Sequence, residues 1–272
     1  MPLVKKKLLI HPGFHKTGTT TLQRGLADKR EVLAADLDMV ILDEIRPASL
    51  LSRRYSVDPL PRTLAKFSEG FASILSTRDP LDDRPLFISS EALVGQIPGR
   101  HGFQTYAHAP VLMDQVVKAT RGYFGPESAI TVWFTKRACE PWQRSVYYQN
   151  VRTVRVTDEI DTYRRKLNNA PGLDKVVADV RAALPAWVDV QATLLEDANA
   201  IPLGLMGIAL GLLGVHAEKL APPPRQNAQV DGLLEALLQL NRSDLSEESL
   251  AEEKLKLLAQ FRKGRGPRPC CV

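Results

Sequence analysis

Cysteine is scarce in this chain, and the little there is excludes more than it suggests. Three cysteines stand among 272 residues, Cys139 and the adjacent pair Cys270 and Cys271. They offer neither metal-ligand spacing nor a disulfide framework, which fits a reducing compartment. The pair does not form a prenylation box either, since Pro269 stands where that box needs its cysteine. Long hydrophobic runs are also lacking: the longest, Ile201 to Val215, spans fifteen residues with four glycines and a proline. A membrane helix needs about 20 residues, so this run reads as a buried helix in which Gly207 and Gly211 admit close packing. Leu8-Leu9-Ile10 is too short for the apolar part of a signal peptide. The expectation is a cytoplasmic protein with no membrane span. Aromatic residues make up 6% and do not interleave with basic ones, so no nucleic-acid surface is indicated. No His, Cys and carboxylate cluster suggests a metal. The formal charge of +5 suits an anionic ligand without specifying one. Lys5, Lys6 and Lys7 and the tail cations Arg262, Lys263, Arg265 and Arg268 read as solvated charge.

What is present concentrates near the N-terminus. Lys7-Leu8-Leu9-Ile10 reads as a strand, and His11 to Gln23 (HPGFHKTGTTTLQ) turns from it into a helix. Gly13 and Gly18 keep the G-x-x-x-x-G spacing of a phosphate loop, and the hydroxyls of Thr19, Thr20 and Thr21 follow. The helix that opens there points its positive dipole end at the same place. An ATP-type loop needs lysine directly after the second glycine, whereas here Thr19 occupies that position and Lys16 lies inside the loop. The pattern therefore predicts a bound phosphate without predicting ATP.

A second strand-to-helix crossing lies in mid-chain. Ala129 to Thr135 (AITVWFT) has the β-branched and aromatic content of a buried strand, and it runs into Lys136-Arg137. Pro141 suits a first helical turn, and Trp142, Val146 and Tyr147 recur near helical spacing. Arg137 and Ser145 thus share one crossing, eight residues apart.

HKTGTT followed by Leu22-Gln23 resembles the 5'-phosphosulfate loop of sulfotransferases, whose donor is 3'-phosphoadenosine 5'-phosphosulfate (PAPS). The histidine form is similar to that of bacterial carbohydrate-type members. The family places an Arg and a Ser at the spacing of Arg137 and Ser145 on the donor's 3'-phosphate, and Ser145-Val-Tyr-Tyr resembles its Ser-x-Tyr run. Ala138-Cys139-Glu140 replaces the family's usual Asp-Pro or Asn-Pro after the arginine. The resemblance implies a P-loop-kinase-like α/β fold and a donor site of His15, Lys16, Thr17, Gly18, Thr19, Thr20, Thr21, Arg137 and Ser145. Lys16 would act catalytically on the leaving phosphate. The acceptor implied is a small molecule or, first, a saccharide. Glu91, ending the Ile-Ser-Ser-Glu run, stands at the strand end where relatives put their general base. A helix-start carboxylate capped by Ser90 is the other reading of Glu91, and His11, His15, His101 and His108 are other candidate bases. Two rivals stay open: a P-loop kinase with an aberrant loop, for which Met39 to Asp43 could serve as a crude Walker-B strand, and a binding protein that keeps the donor site without turnover.

The rest of the chain alternates strands and helices, which predicts a parallel sheet covered on both faces. Expected helices are Thr19 to Ala34, Leu64 to Leu75, Pro110 to Tyr123, Val151 to Asn168, Leu173 to Leu184, Asp231 to Leu240 and Glu247 to Phe261. Expected strands include Met39 to Leu42, Pro85 to Glu91 and Trp187 to Leu194. Arg46 to Arg62, with three prolines and no sustained periodicity, reads as a long surface excursion. With Gly95 to Ala109 it would shape acceptor access. Pro222 to Pro224 marks a linker, dividing an α/β unit (1–224) from a helical extension of the same domain (225–263) and a basic flexible tail (264–272).

Overall fold

The computed structural model describes residues 5–216, 220–222 and 232–263. Its centre is a five-stranded sheet in the order β2-β3-β1-β4-β5, every neighbouring pair parallel. The strands are β1 (Lys7–His11), β2 (Asp38–Ile41), β3 (Leu86–Ser89), β4 (Ala129–Lys136) and β5 (Asp189–Leu194). In chain order the helices are α1 (Thr19–Ala27), α2 (Arg30–Leu33), α3 (Arg46–Val57), α4 (Pro61–Leu75), α5 (Ala109–Phe124), α6 (Cys139–Thr153), α7 (Ile160–Asn168), α8 (Leu173–Ala183), α9 (Leu195–Ala198), α10 (Gly204–Leu213), α11 (Leu233–Asn241) and α12 (Glu247–Lys263). This is the P-loop-kinase-like α/β architecture the sequence implied.

Alternation along the strands explains why both faces are covered. Leu8 and Ile10 of β1, Leu86 and Ile88 of β3, and Ile130, Val132 and Phe134 of β4 join one apolar cluster with residues of α3, α4, α5, α6 and α8. Leu9, Phe87 and Trp133 face the other way and join a second cluster with α1 and α10. Strands buried on both faces need near-continuous apolar runs, and these have them. Because all strands are parallel, their C-terminal ends lie on one edge of the sheet, where ligands of such folds bind.

Several expectations change on contact with the structure. The predicted helix Thr19 to Ala34 is broken into α1 and α2, with Asp28 and Lys29 between them. The stretch Val151 to Asn168 is the end of α6 and then α7, with residues 154–159 outside either helix. The surface excursion at Arg46 to Arg62 is α3 and the start of α4: Pro47 and Pro61 occupy first-turn positions, where proline starts helices. Its helical periodicity is hidden because the buried face of α3 is largely small and hydroxylated, Ala48, Ser49, Ser52, Tyr55 and Ser56. Gly211 meets nothing where a Cβ would stand, so it is not a close-packing device. Lys6 is buried rather than solvated, its Nζ donating to the Asp82 carbonyl at 2.7 Å. Pro223 and Pro224 of the expected linker, and the tail with Arg265, Arg268, Cys270 and Cys271, lie outside the described residues. Among the described residues no helix is long and apolar enough to cross a membrane.

Candidate functional site

Beyond the end of β1 the chain leaves the sheet through a loop whose conformation is costly to build. Gly13 (φ 74°), Lys16 (φ 69°) and Gly18 (φ 97°) all have left-handed backbones. Glycine enters that region freely, but at Lys16 the conformation is strain that the surroundings must hold. Gly13 is required twice over, because a Cβ there would stand 2.7 Å from Glu91 Cβ and 2.8 Å from its Cα. The phosphate-type loop and the end of β3 therefore touch through bare backbone.

A buried polar network fastens the loop from below. His11 Nδ1 lies 2.8 Å from Ser89 Oγ and its Nε2 3.1 Å from Thr135 Oγ1, joining the ends of β1, β3 and β4. Thr135 Oγ1 in turn meets Thr17 Oγ1 at 2.7 Å, and Thr17 donates to the Phe14 carbonyl at 2.6 Å. Complete burial drives His11 down to about 3, so it is neutral at physiological pH with both nitrogens engaged. His11 is thus a structural fastener and not a base. Thr17 likewise turns its hydroxyl into this network and away from the cavity, contrary to its expected place among the donor ligands.

His15 is tied from above. Its backbone N–H donates to Tyr106 Oη at 3.2 Å, Trp142 Nε1 donates to its carbonyl at 3.0 Å, and its Nδ1 lies 3.2 Å from the same Tyr106 oxygen. A tyrosine hydroxyl that accepts from the backbone can give its own proton to Nδ1. On this hydrogen-bond assignment the ring proton sits on Nε2, a buried atom with no partner among the described residues. Burial, and then the charges of Arg53, Arg100 and Lys16, hold His15 well below its usual range. It is a neutral donor without an acceptor.

Around these elements lies a cavity of about 690 Å³, within the range of about 300–1,000 Å³ typical of small-molecule sites. Lys16, Gly18, Thr19, Thr20 and Thr21 line it from the loop and α1, Arg137 from the end of β4, Ser145 from α6, and Glu91 from the turn after β3. The two crossings and the strand-end carboxylate, far apart in sequence, thus converge on one space. Residues 203–206 at the start of α10, with Leu195 from the start of α9, form an apolar wall. His101 and His108 are not among the lining residues. Nor is Asp43, which is on the surface beside Arg46 at 3.7 Å; β2 is an edge strand separated from β1 by β3. The crude Walker-B reading has no geometric basis.

The cavity is strongly positive. Burial, then Arg152 and Arg137, lower the proton affinity of Lys16, with Glu91 opposing them. Lys16 Nζ reaches Gln149 Oε1 at 3.4 Å, a neutral partner. Arg137 Nε is ion-paired with Glu196 at 3.6 Å, beyond hydrogen-bond range, and is buried without a hydrogen-bond partner. A buried cationic donor that lacks a hydrogen bond fits an oxyanion ligand.

Glu91 is held in a particular way. Ser90 caps its turn by accepting from Ala92 N–H at 3.2 Å, so the capping expectation also holds. The serines of α3 grip the same turn: Ser49 Oγ meets Ser90 Oγ at 2.7 Å and Ser52 donates to the Ala92 carbonyl. Among the polar lining residues that the sequence reading missed are Arg53, Arg100, Gln149 and Thr153. Two of them carry a signal, since Ser145, Gln149 and Thr153 repeat every four residues and share one helix face. Arg53 was hidden with the periodicity of α3.

No family model and no curated protein matches the chain. Among solved structures, a sulfotransferase from Alicyclobacillus acidocaldarius is similar over 95% of this chain and 96% of that one, with 13% identity and a TM-score of 0.47.

Proposed function

We propose that the chain is a PAPS-dependent sulfotransferase acting on a hydroxyl, or amine, of a saccharide or similar small acceptor. The observation that carries this reading is the convergence of Lys16 and Thr19 to Thr21 with Arg137 and Ser145 on one positive cavity. One phosphate site at a helix start is common, but two at this spacing suit a nucleotide phosphorylated at both ends. The buried nitrogens of Arg137 and His15 that lack a hydrogen-bond partner fit such a ligand, and the apolar wall at the start of α10 suits a nucleobase. When bound, PAPS supplies a sulfuryl group on a phosphate leaving group.

The chain's own residues then divide the work. Arg137 and Ser145 hold the 3'-phosphate, which spends remote binding energy on orientation. Lys16 Nζ and the N–H groups at the start of α1 neutralise charge growing on the departing phosphate. His15 Nε2–H adds a neutral donor to the same wall. Glu91 takes the proton of the acceptor hydroxyl as the new sulfur–oxygen bond forms and the bond to the phosphate breaks. The position of Lys16 before the second glycine is, on this reading, the feature that distinguishes the loop from an ATP site.

Calorimetry on the full chain tests the donor. Adenosine 3',5'-bisphosphate binding with no response to Mg-ATP is the expected result; tight Mg-ATP binding without bisphosphate binding returns the chain to the kinase class. Transfer of labelled sulfate from PAPS to an acceptor pool separates an enzyme from a binding protein.

A further inference from the structure

The cavity holds more positive charge than a donor site of Lys16 and Arg137 uses. Arg53 from α3 and Arg100 from the segment after β3 also line it. Their place is fixed relative to α6. Arg100 Nε donates to Asn150 Oδ1 at 2.7 Å and its Nη2 to Thr153 Oγ1, both in the last turn of that helix. Ser145 lies eight residues before Thr153, about 12 Å along the axis, and Lys16 meets the helix between them at Gln149. Read along α6, the order is the proposed 3'-phosphate ligand, the lysine, then Arg100.

Among the described residues, none neutralises either arginine. Both partners of Arg100 are neutral side chains, and among the described residues Arg53 has no ion pair or hydrogen bond, its Nε being buried without a partner. The two lie close enough that the charge of Arg53, after burial, lowers the proton affinity of Arg100. Glu91, the carboxylate that lines the cavity, is near Lys16. Adjacent, half-buried guanidiniums that no carboxylate among the described residues pairs with are unfavourable unless a ligand supplies the counter-charge.

We propose that Arg53 and Arg100 form a subsite for an oxyanion on the acceptor, so that the acceptor class is an anionic saccharide, a uronate or a phosphate ester, and not a neutral sugar. The word acceptor rests on the sulfotransferase reading, whereas the subsite itself does not.

The test is calorimetry on the full chain, alone and saturated with adenosine 3',5'-bisphosphate, using 4-nitrophenyl β-glucoside, 4-nitrophenyl β-glucuronide and the 6-phosphate of the glucoside. The charged sugars should bind about tenfold tighter than the neutral one, and their order tells carboxylate from phosphate ester. Arg53→Gln, which removes no hydrogen bond or ion pair among the described residues, should abolish that preference and leave bisphosphate affinity within about twofold; Arg100→Gln should do the same if it melts like the parent. Equal binding of neutral and charged sugars, no binding by any, or a tenfold loss of bisphosphate affinity in Arg53→Gln overturns the subsite. If the unmodified chain ignores bisphosphate but still prefers the glucuronide, the donor reading falls and the subsite stands.

Discussion

The two strand-to-helix crossings that meet in the cavity are built on opposite principles. The β1-to-α1 crossing is made of backbone: two glycines and one strained lysine fold it, bare chain at Gly13 presses on Glu91, and threonine and histidine hydrogen bonds lock it underneath. The β4-to-α6 crossing has an ordinary path and contributes through side chains, Arg137 reaching from the strand end and Ser145 from the second turn of the helix. A backbone site fixes the position of its ligand but tolerates almost no substitution. A side-chain site can be tuned residue by residue, and its loss leaves the fold intact. The molecule joins one of each.

That contrast can be broken at graded points. Gly13→Ala should have the largest effect, because it combines strain at φ 74° with a Cβ 2.7 Å from that of Glu91. A loss of about 3 kcal/mol of stability or more is expected from strain and overpacking together, read as a lower melting temperature with bisphosphate binding lost as well. Wild-type melting in this variant would show the loop is not backbone-limited. Lys16→Ala should reduce turnover about 10²–10³-fold while leaving melting unchanged, since its Nζ has only the long contact to Gln149. Arg137→Ala should weaken adenosine 3',5'-bisphosphate about 10- to 100-fold and leave adenosine 5'-phosphate untouched; equal losses for both would place Arg137 elsewhere. Ser145→Ala should cost about three- to tenfold in bisphosphate affinity, the worth of one hydroxyl hydrogen bond.

The titration of His11 has no effect at neutral pH, because its folded state resists protonation down to about 3 against an ordinary value of 6.5, whereas its replacement costs the buried bonds to Ser89 and Thr135 at every pH. Between those values the unfolded chain takes up a proton that the folded chain refuses, so stability falls as pH drops through the window and is unaffected by His11 above it. His11→Asn, which cannot titrate, should flatten that acid slope in denaturant titrations at a series of pH values. An unchanged slope would assign it to other groups, His15 first.

The contrast also explains what was legible in the sequence. Backbone-built sites write themselves as contiguous glycine and hydroxyl patterns, so the loop from Gly13 to Thr21 could be read directly. The inward turn of the Thr17 hydroxyl was not legible, because a string of hydroxyls does not say which one turns inward; the pairing of β1 with β4 decides that, by bringing Thr135 beneath it. Strand alternation in β1, β3 and β4 made the sheet readable, whereas α3 was not, because serine hydroxyls satisfied by the turn after β3 do the packing that leucines usually do. Arg53 was lost with α3, and Arg100 because a charge in a loop has no period. Glu91 was legible as a strand end, yet its contact with Gly13 required knowing that β1 and β3 are neighbours in register, His11 opposite Ser89.

Ser145, Gln149 and Thr153 climb α6 at a four-residue step, while the helix closes a turn every 3.6 residues, so each step drifts about 40° around the axis. From Ser145 to Thr153 the stripe has wound through about 80°. That arc is still within one helix face, so the three side chains border the cavity as a slanted stripe, with Lys16 meeting it at its midpoint, Gln149.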